Sequence, residues 1–208
     1  MMSWTVVIPV KRLDAAKTRL AGVDDPRRPE LALAFALDVI DACLEATSTG
    51  TVIVVTDDQE VIAGASDVTI CPEPEGGGLN AAVRRGAALA DGPVVALAGD
   101  LPCLTGEALD YLLALASGHE RSVLSDAQGS GTAMLFASDA RTLDPHFGPE
   151  SRSAHVHGGC FDLALDAPGD VRMLIAGARR DVDTPADLWD ARRIGVGTHT
   201  RAVLEEMP

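Results

Sequence analysis

Short, wholly apolar runs alternate with stretches of helical spacing along this chain, and that alternation restricts its possible folds more than any single motif. Trp4 to Val10, Thr51 to Thr56 and Pro93 to Ala98 place hydrophobic residues at consecutive positions. A strand with one wet face would alternate, so consecutive apolar residues mark strands covered on both faces. Between the first two runs, Pro29 to Ala46 repeats Leu33, Leu37, Ile40 and Leu44 at spacings of four, three and four, the stripe of an α-helix. Further helices are expected at Gln59 to Ala65, Leu79 to Ala90 and Thr105 to Ala116, and a third strand at Val68 to Cys71. Arg121 to Ala137 reads as two short strands around a Gly-Ser-Gly turn, Ser151 to Cys160 as weakly helical and Val171 to Ile175 as an edge strand. Thr184-Pro185-Ala186-Asp187 opens another helix, with Thr as N-cap, Pro at N1 and an acid at N3 that can reach back to the cap. No repeat or low-complexity linker divides the 208 residues. The expected fold is α/β: one Rossmann-like domain over 1–208, with a mostly parallel open sheet and helices on both faces.

Charge narrows the partners. With 17 basic and 31 acidic residues the net charge is −14, which disfavours nucleic acid and anionic membranes. No apolar run approaches the roughly 18 residues of a transmembrane helix, and the opening residues read as a first strand, without the basic region of a signal peptide. Cys43, Cys71, Cys103 and Cys160 are widely spaced and form no C-x-x-C pair. Free thiols in a reducing cytoplasm are the expectation. So acidic a protein needs a local basic patch to hold a phosphorylated substrate. Lys11, Arg12, Lys17 and Arg19 supply one against the single Asp14, and these two lysines are the only ones in the chain. The plain alternative is a solvated charge cluster on a loop.

In an open α/β sheet, ligands bind beyond the carboxyl ends of the strands. Four segments should project there: Lys11 to Leu20, Asp57-Asp58, Pro72 to Asn80 with its three glycines, and Gly99-Asp100-Leu101-Pro102. Asp100 follows a buried strand and lies five residues before the expected cap at Thr105, which argues for chemistry over capping. Asp181-Val182-Asp183 alternates, so in an extended segment both carboxylates face one side. A carboxylate after strand four with one or two from a distant segment suits Mg2+, which is commonly held by one or two carboxylates, waters and substrate phosphates. Gly129-Ser130-Gly131-Thr132 and Phe147-Gly148-Pro149-Glu150-Ser151 are the other notable loops. The second places Ser151 at a helix N-terminus, where N–H groups take anions. Ordinary turn chemistry accounts for either loop alone. His146, His155 and His157 invite a zinc reading, but the H-x-H spacing lacks a convincing third ligand or helical register, which argues against it.

Several of these segments together resemble the 2-phospho-L-lactate and phosphoenolpyruvate guanylyltransferases that build the phospho-acid arm of the deazaflavin coenzyme F420. The similar stretches are V-I-P-V-K-R-L-D-A-A-K-T-R-L, G-G-L-N-A-A (Gly77 to Ala82), A-G-D-L-P (Ala98 to Pro102), G-S-G-T, F-G-P-E-S-R-S-A-H (Phe147 to His155) and D-V-D-T-P-A-D-L (Asp181 to Leu188). They run in family order across nearly the whole chain. The G-x-G-x-R loop of wider nucleotidyltransferases is absent, and the lysine-bearing loop stands in its place, as in this family. The resemblance implies that GTP donates GMP to the phosphate of a small phosphorylated carboxylic acid and that pyrophosphate leaves. It implies Asp100 and Asp183 as metal ligands with Asp181 as a third, and Lys17 facing the triphosphate as a catalytic residue with those two aspartates. Lys11, Arg19, Gly77, Gly78, Leu79 and Asn80 would complete the nucleotide side, and Thr132, Gly148 and Ser151 would hold the acid, with Arg152 as a secondary candidate. The attacking phosphate, with a second pKa near ~6, needs no general base. Phosphoenolpyruvate is the expected acceptor, since the Ala- and Arg-rich composition looks like that of bacterial members. Phospholactate and 3-phosphoglycerate are alternatives to it. The wider rivals are a molybdopterin or sugar-phosphate nucleotidyltransferase and a non-catalytic nucleotide-binding regulator.

Overall fold

The computed structural model describes residues 3–13, 20, 27–166 and 171–206. Its elements are β1 (Trp4–Pro9), α1 (Arg28–Glu45), β2 (Thr49–Val55), α2 (Gln59–Gly64), β3 (Thr69–Cys71), α3 (Gly78–Ala87), β4 (Val94–Leu97), α4 (Gly106–Ala116), β5 (Arg121–Ser125), β6 (Thr132–Ala137), α5 (Ser151–His157), β7 (Phe161–Asp162), α6 (Leu163–Asp166), α7 (Pro185–Ile194) and α8 (Thr198–Glu205). One sheet runs in the order β3-β2-β1-β4-β6-β5-β7. β1 pairs in parallel with β2 and β4, β2 with β3, and β5 with β7, while β6 is antiparallel to both β4 and β5.

Strand period decides what each face buries. Val6, Ile8, Val52, Val54, Val95 and Leu97 pack with α1 and α4 on one face. Val7, Ile53, Val55, Val94 and Ala96 meet Ala82, Val83 and Ala87 of α3 on the other. The consecutive apolar residues thus supply both layers, and the α/β sandwich expected from the sequence is the one found.

Caps fix where the chain leaves these layers. Asp58 caps α2 through the N–H groups of Glu60 and Val61, and its other oxygen accepts from Leu13 N–H at 2.9 Å, tying the segment after β1 to the segment after β2. Thr184 and Asp187 form the expected capping box on α7. Buried Asp38 on α1 accepts from the N–H groups of His199 and Thr200, anchoring α8, which the sequence reading did not include. The four cysteines are buried free thiols. Among the described residues no helix is long and apolar enough to cross a membrane.

The expected edge strand at Val171 to Ile175 is not one. That region forms a turn followed by a 3-10 helix, Leu174–Arg179. Val171, Leu174, Ile175 and Ala178 recur at helical spacing and pack into the α1–α4 side of the core, while Arg179 binds Ser125 and Asp126. The edge position belongs to β7.

α3 lies close on the sheet because Gly86 has no side chain. A Cβ there would stand 2.5 Å from Val7 Cγ1 and 2.9 Å from Val55 Cγ2. Gly86→Ala should therefore lift α3 and lower stability by about 1–3 kcal/mol. Thermal unfolding checks this, and an unchanged Tm would mean that α3 can shift freely.

Candidate active site

A cleft of about 470 Å³ opens at the sheet edge where β1 and β4 end, bordered by Val10, Lys11, Leu79, Gly99, Asp100 and Asp126, and by Thr132, Phe147, Gly148, Ser151, Asp181 and Asp183. β6 runs against its neighbours, so its first residue, Thr132, faces this edge beside Asp100, just past the last residue of β4. Lys11 is exposed after β1 and close enough to Glu73 to offset part of the rise that burial and Asp57 impose on that carboxyl.

The distant aspartates meet through the backbone. Val182 N–H donates to the Asp100 carbonyl at 3.1 Å. Val182 itself is fully buried against Leu31, Phe35 and Cys103, so its neighbours Asp181 and Asp183 are left on the cleft wall. Burial, and then the charges of Asp100, Asp126 and Asp183, push the Asp181 carboxyl up to about 6. Crowded carboxylates of this kind favour a proton or a cation between them. Among the described residues no three His, Cys, Asp or Glu side chains are arranged to hold a metal unaided. A cation here would therefore take further ligands from water and substrate oxygens, as Mg2+ commonly does.

Asp126 was not anticipated. Its carboxylate accepts from the N–H groups of Gly129, Ser130 and Gly131 at 2.6, 3.1 and 2.9 Å, shaping the turn that delivers Thr132. A Cβ on Gly131 would fall 2.3 Å from its Oδ2, so this turn requires glycine there. The position was readable by the logic applied to Asp100: a carboxylate directly after a buried strand.

The two loops flanking the cleft are joined. Arg152 N–H donates to Ser130 O, and its guanidinium pairs with buried Asp162 at 2.6 Å. Ser151 is 2% exposed and still borders the cleft. The expectation of open helix N–H groups at Ser151 needs correction. Ser151 N–H is taken by Gly148 O across the turn through left-handed Glu150, and Arg152 N–H by Ser130 O of the facing β5–β6 turn.

Asn80 also has a task at this junction. Its side-chain amide donates to Phe147 O at 3.0 Å and accepts from Phe147 N–H at 2.7 Å, latching α3 to the Phe147–Ser151 loop. Gly77 is the N-cap residue of α3 and Gly78 its first residue. Neither they nor Asn80 border the cleft as Leu79 does. Lys17 and Arg19 lie outside the described residues. His146, His155 and His157 are each engaged, with Asp144, with Thr132 and the His146 backbone, and with Ser153 respectively.

The sheet edge gathers carboxylates from the β4 end and from a late segment, with Lys11 beside them. The fold is similar to the solved structure of a nucleotidyl transferase from Methanothermobacter thermautotrophicus, with a TM-score of 0.60 at 18% identity over 92% of this chain and 96% of that one. The chain belongs to the guanylyl transferase family described as CofC like, whose profile matches residues 4–207. The phosphoenolpyruvate guanylyltransferase of Streptomyces scabiei is 45% identical, covering 97% of this chain and 95% of that protein. That of Streptomyces coelicolor is 43% identical, covering 97% and 96%.

Asp181 makes a pH-dependent prediction. Its folded value near 6 lies above the unfolded value of roughly 3.9, so the folded state holds this proton more tightly. Stability is therefore lost as pH rises from about 4 to about 6 and is not regained above it. Asp181→Asn removes that penalty. It should raise the Tm of the metal-free protein by a few degrees at pH 7.5 and by nothing at pH 4, as thermal scans at the two pH values will read.

Proposed function

We propose that this chain transfers GMP from GTP to phosphoenolpyruvate, with release of pyrophosphate, and that this reaction serves the phospho-acid arm of coenzyme F420. The observation that carries the reading is the union, in one cleft, of the carboxylates Asp100, Asp181 and Asp183 with the wall formed by Thr132, Gly148 and Ser151. The Streptomyces relatives' names support phosphoenolpyruvate as the acceptor.

Each part of the site has a task in that reaction. Asp100 and Asp183, with Asp181, would hold Mg2+. Held there, the ion would supply charge neutralisation at the transferring phosphoryl group. Lys11 would face the triphosphate, and Lys17 is assigned the same task from the sequence alone. Leu79 borders the nucleotide side, with Gly77, Gly78 and Arg19 assigned there and Asn80 holding the wall between the two substrates. Thr132, Gly148 and Ser151 receive the acid's carboxylate. The attacking oxygen is already anionic, so no side chain has to remove a proton. What the protein supplies is in-line placement, and Asp126, Arg152 and Asn80 brace the walls of the cleft for it.

Phosphoenolpyruvate and phospholactate carry similar charge and differ in a planar against a tetrahedral carbon. A pocket that reads shape discriminates by about 1–3 kcal/mol. Pyrophosphate release from GTP, measured with each acid, should show phosphoenolpyruvate preferred and phospholactate slow. Turnover of phospholactate with phosphoenolpyruvate inert would overturn the acceptor and leave the guanylyl transfer standing. Asp100→Asn should lower kcat by roughly a hundredfold or more with an unchanged circular dichroism spectrum. A folded, fully active variant would remove Asp100 from the metal site.

A further inference from the structure

We propose that His155 is a positioning residue whose ring is held as the Nδ1–H tautomer, so that the Thr132 hydroxyl is left to donate its proton into the cleft, toward the acceptor's carboxylate. The inference rests on Thr132 contacting the acceptor, and it adds a direction to that contact.

The argument is one of donors and acceptors. His155 is 1% exposed, so its ring nitrogens must find partners inside the protein. Nε2 accepts the backbone N–H of His146 at 2.9 Å. A nitrogen that accepts carries no hydrogen, so in the neutral ring the proton sits on Nδ1. Nδ1 lies 2.9 Å from Thr132 Oγ1 and therefore donates to it. The reverse arrangement, with Thr132 donating to Nδ1, would put an Nε2–H against the His146 N–H, two donors facing each other. An imidazolium meets the same clash. Burial first, and then the charge of His146 outweighing that of Asp144, hold the His155 pKa down at about 4, which keeps the ring neutral.

Thr132 is the first residue of β6 and borders the cleft. A threonine hydroxyl has one proton to give and normally rotates to suit its surroundings. With His155 filling one acceptor direction, that proton points elsewhere, and the cleft beside Ser151 and Gly148 is where an anionic ligand would take it. The ring is held in its plane by Phe147, edge-on at a centroid distance of 5.4 Å, and Phe147 is latched to Asn80. Asn80, Phe147, His155 and Thr132 thus form one line of positioning contacts from α3 to the acceptor wall. A donor oriented before the ligand arrives needs no reorganisation on binding.

The wild-type protein provides the first test. Ring nitrogen shifts in 15N-histidine-labelled protein distinguish the tautomers, and His155 should read as Nδ1–H; an Nε2–H or doubly protonated ring at neutral pH overturns the inference. Kinetics provide the second. His155→Phe keeps a ring but removes the donor and should raise KM for phosphoenolpyruvate about tenfold, with KM for GTP within about twofold. His155→Asn, which returns an N–H near the Nδ1 position, should recover part of that loss. Thr132→Val combined with His155→Phe should be no worse than the poorer single variant, because both remove one oriented donor. Additive losses, or equal rises in both KM values, overturn the inference. Thr132→Val that raises KM for GTP alone would overturn the acceptor assignment, while the nuclear magnetic resonance result still decides the tautomer.

Discussion

The hydrogen bond from Val182 N–H to the Asp100 carbonyl is the contact on which the site depends. It holds the end of β4 against a segment far along the chain, and it does so in the face of electrostatic opposition, since it gathers four carboxylates in a protein of net charge −14. What outweighs the opposition is burial. Val182 is wholly enclosed, worth about 1.5–3 kcal/mol for its side chain, and the hydrogen bond adds about 1 kcal/mol. α7, with its capping box, begins directly afterwards and fixes the segment's far end. Repulsion among partly solvated carboxylates is screened to a similar scale. The folded site is held together by apolar packing behind the aspartates, and the strain it retains appears as the elevated Asp181.

The opposite wall solves a different problem. Its loops contain many backbone groups and little apolar area, so polar contacts hold them. Asp126 gathers three N–H groups, Arg179 binds Ser125 and Asp126 from behind, and Arg152 ties α5 to β7 and to the Gly129–Gly131 turn. Each of these side chains has several partners, which is the condition under which a polar network makes a loop rigid.

The layered fold was legible because burial on both faces leaves a direct mark, consecutive apolar residues, and because Thr184-Pro185-Ala186-Asp187 encodes its cap locally. The rule for strand ends placed Lys11 and Asp100 at the cleft, whereas Asp181 and Asp183 were read from their alternation and Thr132 and Ser151 from two loops and the family resemblance; all six border it. Val171 to Ile175 reads as an edge strand and is a turn entering the 3-10 helix Leu174–Arg179, since a short apolar run does not distinguish the two periods. α8 went unseen because its anchor is tertiary, the side chain of Asp38 on another helix. The contacts of Asn80 and His155 were out of reach for the same reason: their partners, Phe147 and Thr132, are remote in sequence, and only the folded chain sets those donors against those acceptors. The roles proposed for the cleft residues rest on chemistry beyond what position alone gives.

The reversed direction of β6 has a consequence for how such a protein can change. Because that strand enters the sheet from the cleft side, the wall assigned to the acid comes from one contiguous stretch, from Asp126 through His155, while the aspartates and the lysine loop come from elsewhere. The wall is thus a cassette. Its residues can change without disturbing the ends of the parallel strands, provided the contacts from Asn80 and Arg84 of α3, of Arg179 with Asp126 and of Arg152 with Asp162 are kept. On the proposed reading, a change of acid would then fall on a hairpin and one short helix, with the strand ends left as they are.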